Sequence, residues 1–184
     1  MKIIRLIVGV FAMSLTAVMF AAGGQVTVDD FKSGPEQRWR FVADTVMGGR
    51  STGQVEFKSS GAEAYARLTG DVSTANNGGF IQIRRELASV PDDAQGVRLL
   101  VRGNGERYFV HLRTSGTILP WQYYQAGFST TGAWREVRLP LASFERSGRF
   151  LGKTPKASSL KSIGIVAFGR DHKADVEIRE VGFY

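Results

Sequence analysis

The feature that most constrains the fold is an alternation of apolar and polar residues, repeated at intervals of about ten residues. Gly, Pro, Ser or Asn separates the alternating runs, which is typical of short antiparallel strands. Outside the first residues, no stretch of about ten residues has a convincing helical period. A parallel sheet would need crossover helices, so the sequence predicts an all-β sandwich or barrel of roughly eight to ten antiparallel strands. The predicted strands are Trp39–Asp44, Gly53–Lys58, Tyr65–Val72, Phe80–Leu87, Val97–Arg102, Arg107–Thr114, Tyr123–Thr130, Trp134–Leu139, Ser162–Phe168 and Val176–Phe183.

Two neighbouring runs show the alternation most clearly. In GVRLLVRG (96–103) and RYFVHLRT (107–114), every second residue is apolar and the positions between them carry most of the Arg and His. The segment GNGE (103–106) lies between the two runs and predicts a hairpin turn, because Asn-Gly readily takes positive φ. The final residues, EIREVGFY, are strand-like to the last position, so we expect this segment to be paired in a sheet.

The first residues have the three-part pattern of a secretory signal peptide. Lys2 and Arg5 form a basic start, residues 6–20 are almost entirely apolar, and small residues follow at a cleavage site. A membrane anchor is the alternative, but the apolar stretch is shorter than the roughly 20 residues of a spanning helix. We therefore predict a cleaved signal peptide over 1–23, an exported protein (periplasmic or secreted), and a single β-sandwich domain over 26–184.

The net charge of the chain limits the kinds of partner that we expect it to bind. The sequence has 24 basic and 17 acidic residues, and removal of Lys2 and Arg5 lowers the net charge from +7 to +5. No run of like charges suggests a nucleic-acid-binding tail. We expect, instead, a weak attraction to anionic membrane or glycan surfaces. The chain has no cysteine, which excludes disulfides, thiolate metal sites and thiol nucleophiles.

Two glycine-rich segments suit either a turn or a binding loop. In DTVMGGRS (44–51), Gly48 and Gly49 can take backbone conformations that other residues resist. The polar residues that would contact a ligand there are Asp44, Arg50 and Ser51. The segment joins two predicted strands and lacks the lysine of a phosphate-binding loop, so a shaped turn is the favoured interpretation. In TANNGGF (74–80), Asn77 can bind a ligand or simply occupy a left-handed turn, and the turn is again favoured.

A basic sheet face is the third candidate for binding. If the strands that carry them are neighbours, the outward positions form one positive surface made of Gln82, Arg84, Arg98, Arg102, His111 and Arg113. A solvated face of an antiparallel sheet is the common case. Arginines beside aromatic residues, however, also suit an anionic or sugar ligand through bidentate hydrogen bonds and stacking. The predicted binding residues of this surface are Arg84, Arg102, Arg113, Trp121 and Tyr123.

Catalytic patterns are weak. His111 lies inside a predicted strand and no GxSxG nucleophile motif is present. His172 lies among aspartates in GRDHKAD, where a solvated turn is favoured over a metal site. Adjacent carboxylates at Asp29-Asp30 and Asp92-Asp93 lack EF-hand spacing. We predict no catalytic residue, no metal and no cofactor, with a carboxylate-dependent hydrolase as the alternative, since sequence does not place the facing carboxylates that a glycosidase needs.

Six segments, which cover almost the whole mature chain in order, resemble the complex I intermediate-associated protein 30 domain family. They are DDF (29–31), WRFVADTVMGGRSTGQVEF (39–57), LTGDVSTANNGGFIQIR (68–84), GVRLLVRGNGERYFVHLRT (96–114), WREVRLPLASF (134–144) and IGIVAFGRDHKADVEIREVGFY (163–184). The pair D-x-V-M-G-G-x-S and N-G-G-F is the most specific part. Its signature positions are Asp44, Met47, Gly48, Gly49, Ser51, Asn77, Gly78, Gly79 and Phe80.

The resemblance implies a jelly-roll sandwich of the galactose-binding-like class and a role without catalysis. Mitochondrial members of the family are assembly factors for complex I that work from the matrix side, and related folds are carbohydrate-binding modules. The predicted export signal would keep this chain from the cytoplasmic arm of complex I. The leading hypothesis is therefore a non-catalytic exported binding domain, similar to the assembly factors, that recognises a protein or glycan partner. A carbohydrate-binding module is the first alternative.

Overall fold

The computed structural model describes residues 24–60 and 63–184. The strands are β1 (Val26–Asp29), β2 (Arg40–Ala43), β3 (Thr52–Ser60), β4 (Glu63–Val72), β5 (Phe80–Glu86), β6 (Gly96–Gly103), β7 (Arg107–Thr114), β8 (Tyr124–Ser129), β9 (Arg135–Pro140), β10 (Glu145–Arg146), β11 (Leu160–Phe168) and β12 (His172–Phe183). Short 3-10 helices are found at Pro35–Gln37, Asp44–Met47, Ala75–Asn77, Leu141–Ser143 and Ala157–Ser159. None of the helices in this described part has the length and apolar character needed to span a membrane. The predicted signal peptide, 1–23, lies outside the described residues.

The strands form two antiparallel sheets. In the first sheet the order is β3-β4-β12-β6-β9, and β1 pairs with the last residues of β12. In the second sheet the order is β10-β8-β7-β11-β5-β2. The all-β prediction with antiparallel sheets is confirmed, and the final residues are paired in β12 as expected.

The core lies between the inner faces of the two sheets, where the alternation predicted from sequence places the apolar residues. Leu99 and Ile178 come from the first sheet, Val110 and Ile165 come from the second, and all four are fully buried. Each such side chain contributes about 1.5–3 kcal/mol of burial free energy. The opposite faces of both sheets therefore remain outside, and the polar positions of the same strands lie on them.

The predicted strands are all present with small shifts at their ends, but two were missed. β1 is only four residues long and β10 only two, so neither shows enough alternation to be recognised. The hairpin predicted at GNGE is wrong, because β6 lies in the first sheet and β7 in the second. Both strands bury an apolar face on the core, and alternation alone does not tell whether two such strands pair or face each other.

Candidate functional site

One buried carboxylate, Asp44, joins the two glycine-rich segments. The backbone N–H of Ser51 donates to Oδ1 of Asp44 (3.0 Å), and the Ser51 hydroxyl donates to Oδ2 (2.5 Å). The N–H groups of Gly79 and Phe80 also donate to Oδ2, at 2.5 and 3.2 Å. Burial raises the pKa of Asp44, but these hydrogen bonds outweigh it and hold the pKa below its ordinary value. The two signature motifs therefore meet in space around a single side chain.

The glycines of both segments are required by this close approach. A Cβ atom on Gly49 or Gly78 would overlap the Asp44 carboxyl group, and Gly48 has a φ of 87°. Asp44 and Ser51 are almost completely buried and their polar atoms are engaged internally. Their contacts support the interpretation of the segment as a shaped turn, and neither of these two side chains is exposed to a ligand.

The remaining residues of the two segments lie at the surface. Arg50 and Asn77 are exposed, and Asn77 has a φ of 57°, as expected for a left-handed turn residue. Val46 and Met47 are 72% and 60% exposed. The braced turn thus presents two large apolar side chains to solvent.

The structure divides the predicted basic surface between the two sheets. Arg84 lies on β5, while His111 and Arg113 lie on β7, and both strands flank β11 in the second sheet. Arg98 and Arg102 lie on β6 in the first sheet. The prediction of one continuous positive surface is therefore wrong, because it assumed that β6 and β7 are neighbours.

The outer surface of the first sheet, called the first face, is neutralised by its own carboxylates. Arg67 makes two hydrogen bonds to Asp175 (2.9 and 2.7 Å), which lower the pKa of that carboxyl group. Arg102 is paired with Glu177 and lies over the ring of Trp134. The further ion pairs of this face are Arg98–Glu136, Arg98–Glu180, Arg138–Glu136 and Arg179–Glu63. A pocket of about 200 Å³ borders Arg102, but the carboxylates that line it, Asp175 and Glu177, are already bound to arginine.

The outer surface of the second sheet, called the second face, has an excess of positive charge. Register places Arg40 beside Arg84, and Arg113 lies across β11 from Glu86. Glu86 is 3.7 Å from both Arg40 and Arg84, so a single carboxylate is shared by two guanidinium groups. Within residues 24–60 and 63–184, Arg113 has no carboxylate within ion-pair distance. Burial, together with repulsion from Arg84, lowers the pKa of Arg113.

Aromatic rings lie directly beside these arginines. The ring of Tyr123 stacks on His111 with a centroid separation of 4.1 Å and an interplanar angle of 9°. Phe168 meets His111 edge-on at 5.5 Å and Phe109 at 5.9 Å. The second face therefore combines flat apolar surface with charged donors, as sugar and anion sites do.

The stacked pair borders a small pocket of about 50 Å³ on the second face. Its lining residues come from three strands and a loop, and they are Gln82, Arg84, His111, Arg113, Pro120, Tyr123, Ser162 and Gly164. A second depression of about 210 Å³ lies further along β7 and β8 and includes Arg107, Phe109 and Gln125. The predicted residues Arg84, Arg113 and Tyr123 are thus brought together, and Arg102 is not among them.

The loop over this pocket, residues 115–123, is held in place by hydrogen bonds. Arg113 donates to the carbonyl groups of Thr117 and Leu119 (3.1 and 3.0 Å), and the side-chain oxygen of Gln122 accepts from the N–H groups of residues 118 and 119. Ser147 donates to the Trp121 carbonyl and accepts from the Tyr123 N–H. Trp121 lies in the chain between two lining residues, Pro120 and Tyr123, and is 62% exposed, so the loop presents an aromatic ring to solvent.

His111 is the least expected member of the pocket. Burial lowers its pKa to about 4, against an opposing contribution from the Gln125 side chain, so the ring is neutral at neutral pH. Its Nε2 atom is shielded from solvent and has no hydrogen-bond partner in the described part of the chain, and the same is true of Nε of Arg84. Buried polar atoms normally have partners, and the side chain of Gln125, which lies opposite His111 on β8, is the partner that opposes the lowering of the His111 pKa.

Sequence reasoning missed several lining residues. It placed His111 on the basic sheet face without including it among the predicted binding residues, and it gave no binding role to Ser162 or Gly164. The outward positions of SIGIVAF (162–168) alternate with buried Ile and Ala, so they could have been placed on a polar face. Their position next to Arg84 and Arg113, however, depends on strand order.

Two of the carboxylates considered for catalysis or metal binding, Asp29 and Asp171, have other partners. Asp29 is buried and accepts hydrogen bonds from Arg38, Arg85 and the Trp39 indole. Asp171 accepts two bonds from Thr74. In the part of the chain that is described, no three His, Cys, Asp or Glu side chains converge as a metal site would require.

The fold of this sandwich is similar to that of several solved carbohydrate-binding modules. The family 11 carbohydrate-binding module of the cellulosomal cellulase Lic26A-Cel5E of Clostridium thermocellum has a TM-score of 0.70 and 12% identity, over 89% of this chain and 95% of that one. A family 30 module has a TM-score of 0.54 and 12% identity over 74% and 91%. The agarase AgWH50C gives 0.58 and 9% identity, and the match covers 88% of this chain but only 24% of the agarase. These likenesses show the predicted galactose-binding-like jelly roll.

Sequence comparison supplies the family. No curated protein matches the chain. The sequence model of the family described as "Complex I intermediate-associated protein 30 (CIA30)" matches residues 29–178, which include both signature motifs and all the strands of the second sheet. The chain therefore belongs to the complex I intermediate-associated protein 30 family.

Proposed function

We propose that this protein is a non-catalytic binding module that recognises a glycan on the second face. The observation that carries the proposal is the stack of Tyr123 on His111, which borders a pocket lined by Arg84 and Arg113. Sugar rings bind flat aromatic surfaces through their apolar faces, while their hydroxyl groups need fixed polar partners. The second face offers both on one rigid sheet.

The fold neighbours support a glycan more than another ligand. One of them is a family 11 carbohydrate-binding module solved in complex with a β-1,3-1,4-mixed-linked tetrasaccharide, with a TM-score of 0.70. At 12% identity this likeness concerns the fold, so the ligand class is part of our proposal. The ordered loop around Trp121 adds support, because a site that is already rigid loses little conformational entropy on binding.

Affinity electrophoresis against a panel of soluble plant, algal and bacterial polysaccharides would test this function. We expect at least one to retard the protein, and Trp121→Ala to weaken that interaction about tenfold, which corresponds to about 1.4 kcal/mol of lost aromatic contact. The matched control is Trp134→Ala, which removes an aromatic ring from the first face. Absence of binding across the panel, or equal losses in the two variants, would contradict the proposal.

Export belongs to the same proposal, since most free polysaccharide lies outside the cytoplasm. Its support is the basic and apolar pattern of residues 1–23. Mass spectrometry of the protein from periplasmic and secreted fractions should find a mature chain that begins at Gly24. A full-length chain confined to the cytoplasm would count against this.

Docking onto a protein partner is a second candidate function, favoured by the exposed Val46 and Met47 on the braced turn. Large apolar side chains on a rigid loop are typical anchors of protein interfaces. A partner bound in this way should be lost from Met47→Lys and retained by Trp121→Ala in co-purification. The reverse pattern would assign that partner to the second face.

A further inference from the structure

We propose that the glycan recognised by the second face is acidic, and that a sugar carboxylate is bound between Arg84 and Arg113. This inference rests on the proposed function, because it names the ligand class of the same site. The ligand would be a polysaccharide that contains uronic acid residues.

The charge balance of the pocket is the first argument. Arg84 and Arg113 both line it, and the nearest carboxylate, Glu86, is 3.7 Å from Arg84 and equally close to Arg40. Arg40 and Arg84 thus share one acid at the edge of the pocket, and Arg113 has no carboxylate within ion-pair distance in the described part of the chain. Placing two partly buried guanidinium groups side by side costs free energy unless an anion lies between them. A ligand carboxylate would supply the missing negative charge.

The hydrogen-bonding groups of the pocket are the second argument. Nε of Arg84 has no partner in the described part of the chain, and the contact of Arg84 with Glu86 is 3.7 Å long. Arginine binds carboxylates through two parallel N–H···O bonds. Arg84 and Arg113 line the pocket from two different strands and therefore offer a carboxylate guanidinium donors from two directions.

The size of the pocket is the third argument. At about 50 Å³, it admits on the order of a few water-sized groups and not a whole sugar ring. The substituent of a sugar fits this volume, while the ring would remain outside against Tyr123 and the exposed Trp121. Its position at the base of an aromatic surface therefore favours recognition of the carboxylate that a uronic acid carries.

The first face shows what the same residues look like when they are structural. Arg102 lies over the rings of Tyr65 and Trp134, but its carboxylate partner, Glu177, belongs to the chain itself, and so does Asp175, the partner of Arg67. On the second face the equivalent partner of Arg113 is missing from the described residues. This difference assigns the anion to a ligand.

The experiment compares acidic polysaccharides with their own carboxyl-reduced forms. Homogalacturonan, alginate and a glucuronan are each paired with the neutral polymer of the same linkage, and binding of the mature chain is measured by affinity electrophoresis and calorimetry. We expect at least one acidic polymer to bind tenfold or more tightly than its reduced form. We also expect Arg84→Gln to abolish most of this preference and Arg102→Gln, the matched control on the first face, to leave it unchanged.

A second variant separates binding from loop structure. Arg113→Gln removes charge from the pocket but also two bonds to the loop carbonyls, whereas Arg84→Gln leaves the loop bonds in place. Both should reduce affinity for the acidic polymer tenfold, but only Arg84→Gln should leave affinity for the reduced form within twofold, because Arg113→Gln also loosens the loop that carries Trp121.

The outcomes are distinguishable. Equal or tighter binding of the reduced polymers would overturn the acidic ligand and leave the proposed glycan function standing. No binding to any polysaccharide would overturn both, as would binding only to phosphatidylglycerol vesicles. An acidic preference that survives Arg84→Gln and disappears in Arg102→Gln would place the anion on the wrong face and overturn this inference.

Discussion

The two outer faces of the sandwich are built from similar residues and use them differently. Each has arginines beside aromatic rings, with Arg102 over Trp134 on the first face and Arg113 near Tyr123 on the second. On the first face four arginines are paired with carboxylates of neighbouring strands, and a fifth, Arg138, is paired with Glu136 of its own strand. On the second, Glu86 is shared by two arginines, and Arg113 bonds only to a hydroxyl and to carbonyl groups in the described part of the chain.

This difference shows that the number of arginines on a sheet does not locate a binding site. A guanidinium group that is already paired gains little from a ligand, because the ligand must compete with the internal carboxylate. A guanidinium group held near another one has a charge that remains to be balanced. The distinction between the faces therefore rests on partners, and variants that change one partner at a time can test it.

The largest expected effect lies at Asp44, on which both faces depend because it connects β2, β5 and the start of β3. Asp44→Ala would leave the N–H groups of Ser51, Gly79 and Phe80 buried without an acceptor, at about 1–3 kcal/mol for each unsatisfied group. Partial relaxation reduces the sum, so we expect a loss of about 3–5 kcal/mol in the free energy of unfolding, measured by urea denaturation.

Binding data on the same variant show whether the turn has a second role. If Asp44 is a brace, glycan affinity per folded molecule should be unchanged at a temperature where Asp44→Ala is still folded. If Asp44→Ala has normal stability but no longer binds the glycan, the structural role is contradicted and the turn belongs to the binding site.

Much of the fold could be predicted from the alternation of residues, because side-chain direction in a strand follows directly from position. Val97 and Tyr108 were assigned to buried faces for this reason, and both are fully buried. The alternation does not indicate which of the two sheets a strand belongs to. β6 and β7 are adjacent in sequence and lie on opposite sides of the core, so the predicted basic surface joined arginines that are far from each other in the fold.

The candidate site was predictable only in part for the same reason. Arg84, Arg113 and Tyr123 were chosen as polar or aromatic residues at outward positions, and they do line one pocket. His111 was placed on the same basic face but was not chosen as a binding residue, because its stacking on Tyr123 depends on packing between β7 and the following loop. The hydrogen bonds of Asp44 could not be predicted from the neighbouring sequence either, because their donors lie up to 36 residues away.

The second test compares the pH ranges in which the two faces affect the free energy of unfolding. The folded-state pKa of His111 is about 4, below its ordinary value of 6.5. Between these two pH values, His111 is therefore protonated in the unfolded chain and neutral in the folded chain. Its contribution to stability is complete above pH 6.5 and is lost as pH falls towards 4, by on the order of 2–3 kcal/mol. The first face responds at lower pH, because the pKa of Asp175 lies below its ordinary value of 3.8.

His111→Phe is the variant that isolates this effect. It keeps a ring beneath Tyr123 and removes the titrating group, so the decline between pH 6.5 and 4 should flatten, as followed by urea denaturation across that range. The matched control is Asp175→Asn, which should leave this window unchanged and affect stability only at lower pH. A decline that persists in His111→Phe would show that another group titrates there.

The smallest expected effect tests the comparison most directly. Arg67→Gln breaks a bidentate pair with Asp175 and should lower the free energy of unfolding by about 0.5–1 kcal/mol, as partly exposed pairs do. Arg84→Gln removes one of two neighbouring cations and only a loose contact with Glu86, so thermal unfolding should show no loss, or a gain of a few tenths of a kcal/mol. A residue whose removal weakens binding without weakening the fold is held in place for a ligand. If Arg84→Gln instead destabilises the protein as much as Arg67→Gln, its charge is already balanced within the chain, and the two faces do not differ in the way proposed.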